Sequence, residues 1–292
     1  MLSSRRIRSV GITSNVAPVI VAFTVAVAAL LPLPVFAQAT SAQEPVIGVP
    51  VEPSAIGLDE PLFVPPLQDS EAAASPSFGQ LFRSIGNDFK SFPTQENFAW
   101  LTIGAGLSGL THGADDSVTA QLSSSSGLVS ALEPGKTIGG PLMQMGGAFT
   151  TYAIGRMTDS HAVANLGADL VRAQVLTQGV VQGIKFTAQR TRPDGTNLSF
   201  PSGHTASAFA TGTVLQRHFG WKVGVPAYAL ATYVGASRLS ENRHYLSDVM
   251  FGAMLGILAG KQVTVPIGGA SFSVTPQVVP GGAAISFAHI GG

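Results

Sequence analysis

Phe200-Pro201-Ser202-Gly203-His204-Thr205 is the run around which the rest of the chain is organised. Pro201 suits the first turn of a helix, where its missing N–H would have no partner anyway. Gly203 lets a ligand come close to the backbone. The free N–H groups and the dipole of a helix start favour an anion. Ser202 adds a hydroxyl, and His204 stands beside that anion with a proton to give. Taken alone, the run also reads as an ordinary helix cap.

The flanks change its weight. Lys185, Arg190, Arg192 and Pro193 precede it; Ser237-Arg238 and His244-Tyr245-Leu246-Ser247-Asp248 follow. His244 and Asp248 are one helical turn apart, or sit just before and just inside a helix start. Either way the carboxylate reaches one imidazole nitrogen, fixes the tautomer and leaves the other nitrogen free to attack. Lys185, Arg192 and Arg238 form a cationic clamp, which a chain with only 11% charged residues gathers near two histidines. Guanidinium groups supply forked contacts and the ammonium a point charge. Arg190 and Arg243 read as flanking rim charges.

Three blocks stand in order: Lys185-(six residues)-Arg192-Pro193, Pro201-Ser202-Gly203-His204, and Ser237-Arg238-(five residues)-His244-(three residues)-Asp248. They resemble the three-part signature of the type-2 phosphatidic acid phosphatase and vanadium haloperoxidase superfamily. The resemblance covers 185–260 strongly and 78–184 weakly. It implies that Lys185, Arg192 and Arg238 hold phosphate oxygens together with Ser202 and the Gly203 N–H. It further implies that His204 is the general acid, and that His244 is a nucleophile oriented by Asp248 and forming a phosphohistidine. No metal and no cofactor are implied. A His–His–Asp zinc site is the alternative, which the surrounding cations oppose. A vanadate-dependent haloperoxidase would use the same cradle with vanadate in it, and a non-catalytic envelope protein would keep only the fold. Phe200 and His244-Tyr245 resemble the lipid-phosphatase branch, whereas a signal peptide and short helices resemble the soluble acid-phosphatase branch. A phosphorylated lipid or small molecule is the expected substrate, with contact to a membrane surface open.

The chain has 292 residues, 16 bases against 16 acids and 45% hydrophobic residues, enough for a sizeable core under a rather neutral surface. No strongly basic stretch follows the N-terminus, which argues against nucleic acid. With 0 Cys, disulfides and thiolate chemistry are excluded. Arg5, Arg6 and Arg8 followed by apolar Val19–Leu31 read as a secretory signal peptide over 1–39, cleaved near Ala37 or Ala39. That places the protein in the periplasm or cell envelope. Residues 40–76 read as a flexible leader.

A helical domain is expected over 77–262. Phe78, Leu81, Phe82, Ile85 and Phe89 recur at helical spacing opposite Arg83, Asn87, Asp88 and Lys90, a stripe expected to pack on a core. Asp115 or Asp116 reads as a helix cap. Gly139, Gly140, Gly146 and Gly147 suit tight helix contact. Asp194-Gly195 signals a turn. Thr205–Phe219, Trp221–Ser237 and Ser247–Lys261 read as helices; the uncharged stretches of the last two are too short for comfortable spans. Period-two alternation after Lys261 reads as a short C-terminal β-hairpin over 263–292. The expected fold is an all-α bundle of the acid phosphatase/vanadium haloperoxidase type with that hairpin appended.

Overall fold

The structure, a computed structural model, describes residues 75–264 and the backbone of 270–279 and 282–291. The segments read as a signal peptide (1–39) and, nearly all of it, as a flexible leader (40–76) lie outside the described residues. From Phe78 the chain is helical: α1 (Phe78–Ser91), α2 (Gln95–His112), α3 (Asp115–Ser123), α4 (Ser126–Leu132), α5 (Pro134–Ile138), α6 (Pro141–Met157), α7 (His161–Ala188), α8 (Gly203–Phe219), α9 (Trp221–Ser240) and α10 (Leu246–Val263). Ala270–Val279 and Gly282–Gly291 are extended and paired antiparallel, in a register running from Ala270↔Gly291 to Val279↔Gly282.

α10 is the hub. It is apolar on all sides, the pattern of a helix enclosed by others, and every residue from Leu246 to Gly260 is buried. By length and composition it is also the one helix among the described residues able to cross a membrane; 89% of it is covered by the bundle. α8, α2 and α7 surround it, α9 backs α8, and α6 pairs with α7.

Glycines set the closest approaches. A Cβ on Gly252 would stand 2.6 Å from the Ser202 carbonyl, one on Gly256 2.2 Å from the Ala206 carbonyl, and one on Gly260 2.6 Å from Thr213 Cβ. Spaced four apart, these three form one stripe of α10 on which α8 lies. Gly155 and Gly167 do the same for α6 and α7, where a Cβ would come within 2.2 Å and 2.1 Å of the facing backbone. The expectation for α6 needs correcting: nothing lies within 4 Å of a Cβ on Gly146 or Gly147, whereas Gly139 does press on Val234.

α1 starts at a Ser77 cap reciprocated by Gln80. Its apolar stripe only partly packs. Leu81 is buried, but Phe82 is 71% and Phe78 52% exposed. Asp88, placed on the outer face by spacing, is instead buried, because the Arg172 guanidinium of α7 grips both its oxygens at 2.7 and 2.8 Å. That fork docks α1 on the bundle.

Candidate active site

The site forms where the end of α7, the loop after it, and the starts of α8 and α10 meet. α7 ends in a left-handed Gln189 cap, and the chain doubles back. Asp194 accepts from the Thr196 amide at 2.9 Å, Gly195 takes φ 84°, and the Arg192 amide donates to the Thr196 carbonyl at 2.7 Å. The turn expected at Asp194-Gly195 is present. One rung further, the Ser199 amide donates to the Arg190 carbonyl at 2.8 Å. This narrow loop holds Arg190 and Arg192 beside Ser199, close to the last turn of α7 that carries Lys185.

α8 begins at Gly203 with Ser202 as its N-cap residue, so Pro201 sits before the helix and not in its first turn. Ser202 does not cap in the usual way. Its fully buried hydroxyl pairs with the Thr205 hydroxyl at 2.9 Å, and its amide donates to the Asp248 carbonyl at 3.0 Å. The first-turn amides of α8 therefore have no side-chain partner from Ser202. A Cβ on Gly203 would meet Val181 and Gln178 of α7 at ordinary contact distance, 3.4 Å and beyond, so the packing on α7 does not itself require a glycine there.

His244 lies just before α10 and Asp248 in its first turn. Asp248 is fully buried; one oxygen accepts from the Tyr245 amide at 2.9 Å and from the Ser199 hydroxyl. His244 Nδ1 stands 3.5 Å from that same oxygen, an electrostatic contact and not yet a formed hydrogen bond. Catalytic hydrogen bonds are often long before substrate binds. Burial opposes the charge on Asp248, yet His244, the Ser199 hydroxyl and the Tyr245 amide hold its carboxyl below the usual range.

The cations surround this pair. Lys185 is buried and donates to the Leu198 and Ser199 carbonyls; burial first, then the Arg192 charge, lowers its pKa to about 8. Arg192 and Arg238 are also held below their ordinary value, by burial first and then by the Arg243 charge, with Arg192 adding to the effect on Arg238. Arg238, in the last turn of α9, bonds Glu241 at 3.0 Å. The Nε–H groups of both arginines are buried without a hydrogen-bond partner among the described residues. Two orphaned guanidinium donors fit a site for an anion.

His204 shares this field. Burial, then Arg238, His244, Arg192 and Lys185, push its pKa down to about 3, and burial pushes His244 down to about 4. The proton that the general-acid role needs on His204 is thus disfavoured in the ligand-free protein. A phosphate dianion would reverse the local field and bring the proton back within reach. Among the described residues no group of three or more His, Asp and Glu side chains is placed to hold a metal ion.

Spacing missed two residues. Arg190, read as rim, reaches Asp248, Ser247 and Asp115 at 2.7 Å each. Asp115 does not cap its own helix α3; it accepts from the Ser247 amide at 2.8 Å and so caps the start of α10. Asp115 is 133 residues from Asp248 in the chain, and no local pattern links them. Arg243 is the rim charge expected of it, 39% exposed and paired with Asp194.

His204 at the start of α8 and His244 with Asp248 at the start of α10 share the field of Lys185, Arg192 and Arg238, an arrangement suited to an oxyanion. Residues 195–266 match the PAP2 superfamily model, so this segment is similar to the type-2 phosphatidic acid phosphatases. The matched segment includes Ser202, Gly203, His204, Arg238, His244 and Asp248; Lys185, Arg190 and Arg192 lie just before it. The chain is 44% identical over 90 residues to the lipid A 1-phosphatase of Porphyromonas gingivalis, across 30% of this chain and 20% of that protein. It is 28% identical over 99 residues to the lipid A 4'-phosphatase of Helicobacter pylori, across 30% of this chain and 50% of that protein. It thus spans a fifth to a half of these curated relatives. Two solved structures are similar. Aquifex aeolicus LpxE has TM-score 0.43 and 21% identity, over 51% of this chain and 93% of that one. The transmembrane PAP2-type phosphatidylglycerolphosphate phosphatase of Bacillus subtilis has 0.39 and 20%, over 65% and 94%. At those scores neither likeness bears on the site.

Proposed function

We propose that this protein is a metal-independent phosphatase of the cell envelope, hydrolysing lipid phosphates through a phosphohistidine. The observation that carries this reading is the pair of buried, unpartnered Nε–H groups on Arg192 and Arg238 beside the His244–Asp248 pair. Phosphoryl transfer needs charge stabilisation and in-line positioning more than covalent assistance. Lys185, Arg192 and Arg238, with the Ser202 hydroxyl and Gly203 N–H, hold the phosphate oxygens. Asp248 holds Nδ1 of His244, and Nε2 attacks phosphorus as the ester P–O bond breaks. His204, its pKa raised by the bound dianion, gives its proton to the departing alkoxide. Now neutral, it takes a proton from the water that attacks the phosphohistidine, and inorganic phosphate leaves. The fixed cations take the place of a divalent metal.

The relatives named for lipid A phosphates support a lipid substrate, and the apolar signal peptide read over 1–39 supports an envelope location. The 263–292 hairpin is proposed as an extension separate from the 77–262 phosphatase domain. The test is phosphate release from lipid A phosphates, phosphatidate, polyprenyl diphosphate and soluble monoesters, with and without detergent and with EDTA. Preference for a lipid substrate and survival in EDTA are expected. Loss of activity on chelation with recovery on Zn²⁺ or Mg²⁺ would overturn the metal-free reading, and turnover of soluble monoesters alone would overturn the lipid reading.

A further inference from the structure

We propose that Arg190 and Asp115 are positioning residues that set the basicity of His244 through Asp248, a reading that rests on His244 being the nucleophile. One Asp248 oxygen faces His244. The other accepts from Arg190 Nη1 at 2.7 Å. The same Nη1 reaches the Ser247 hydroxyl at 2.7 Å, while Nη2 reaches Asp115 at 2.7 Å. The guanidinium plane is steadied by the Tyr245 ring, whose centroid lies 4.3 Å from Cζ. Asp115 also accepts from the Ser247 amide and hydroxyl at 2.8 and 2.6 Å. One fork thus joins a buried carboxylate of α3 to the buried carboxylate of α10 and leaves Asp248 a single oxygen for His244. A lysine carries the charge but not the fork.

The arrangement has an electrical consequence. Asp248 favours protonated His244; Arg190 offsets Asp248, and Asp115 offsets Arg190. The other groups facing the pair are Lys185 on α7, Arg192 on the loop and His204 on α8. Arg238 lies on α9 and Glu241 just after it, with Arg243 at the rim and exposed His112 beside Asp115. None of these bridges Asp248 to a second carboxylate. Removing the Arg190 charge leaves Asp248 uncompensated, so His244 protonates at higher pH. Removing the Asp115 charge strengthens Arg190 against Asp248 and displaces His244 the other way. A purely structural brace would lower activity in both variants without opposite displacements.

The experiment compares Arg190→Met, Arg190→Lys and Asp115→Asn in two readouts: the acid limb of kcat/KM on p-nitrophenyl phosphate, and the titration of His244 by side-chain nitrogen NMR in the resting full chain. Arg190→Met should raise the limb and the His244 midpoint by about one pH unit or more, the size expected for a lost charge at this range. Arg190→Lys should leave the limb in place and lower kcat by about tenfold to a hundredfold, as a displaced carboxylate does. Asp115→Asn should lower the midpoint. An unmoved midpoint in Arg190→Met, or an unmoved or raised one in Asp115→Asn, overturns the proposal. If Arg190→Met does not fold, Arg190→Lys and Asp115→Asn decide: a limb raised in either overturns it. Wild-type protein without phosphatase activity but with these NMR displacements would sink the catalytic reading and leave the network standing.

Discussion

Gly256→Ala tests whether the site depends on how closely α8 lies on α10. The added Cβ would stand 2.2 Å from the Ala206 carbonyl and 2.9 Å from both the Ala210 amide and Phe209 Cβ. These are backbone and near-backbone atoms with no rotamer to give. Ordinary contact starts near 3.4 Å, so the helices must part by about 1 Å. The Ser202 amide then loses the Asp248 carbonyl, now 3.0 Å away. Overpacking costs about 1–3 kcal/mol and the lost hydrogen bond about 1 kcal/mol. For a domain of this size, each kcal/mol lowers Tm by about 2–4 °C, so a fall of about 5–15 °C is expected in a thermal melt. A 1 Å displacement of Asp248 from the α8 start should reduce kcat/KM by about a hundredfold. Gly146→Ala and Gly147→Ala are the controls, since nothing lies within 4 Å of either Cβ; each should gain up to about 1 kcal/mol of helix propensity with activity unchanged. Wild-type Tm and turnover in Gly256→Ala would refute the reasoning.

Asp88→Ala removes the carboxylate gripped by the Arg172 fork and leaves that guanidinium only Asp169 and the Val263 carbonyl; a loss of about 1.5–3 kcal/mol in urea denaturation is expected, and a loss under 1 kcal/mol would deny α1 its anchor. Burial lowers His204 and His244 from 6.5 to about 3 and about 4, so the unfolded chain binds more protons below pH 6.5. Stability should therefore be full above that pH and fall as pH drops toward 4, by up to about 2.7 kcal/mol per pH unit; bound vanadate should flatten the slope by raising His204, and a flat profile without it would contradict the pKa order. Lys185, lowered to about 8, should impose an alkaline limb on kcat/KM near that pH, which Lys185→Arg should remove. His204→Ala should slow alkyl phosphates by far more than p-nitrophenyl phosphate, whose leaving group departs without much protonation; equal losses would remove His204 as general acid.

The site blocks were legible because their chemistry is local. A lysine and an arginine near a helix end, a Ser-Gly-His run and a His–Asp pair at helix spacing each carry their own signal. The helices were legible for the same reason, and α8, α9 and α10 begin and end within about three residues of the limits expected from spacing. What spacing did not carry was tertiary. Asp115 looked like a cap for the helix it begins, but its carboxylate turns to the start of α10. Arg190 looked like rim because nothing nearby in sequence pairs with it; its partners arrive from α3 and α10. Asp88 fell on the polar side of a stripe, and only Arg172 on another helix makes its burial tolerable. The glycines of α6 resembled contact residues by composition, while the close contact falls on the glycine stripe of α10, read only as an apolar segment. The general-acid role of His204 needs a proton, which burial first and then the field of Arg238, His244, Arg192 and Lys185 disfavour; spacing carries neither effect.

The central claim is that His244 is the nucleophile, and trapping the covalent intermediate tests it most directly. The protein is mixed with ³²P-labelled p-nitrophenyl phosphate, quenched in alkali, where phosphohistidine survives, and digested for mapping. The account predicts label on His244 in the wild type, more of it in His204→Ala, where the water step loses its base, and none in His244→Ala. Label on any other residue, or undiminished label in His244→Ala, would contradict it.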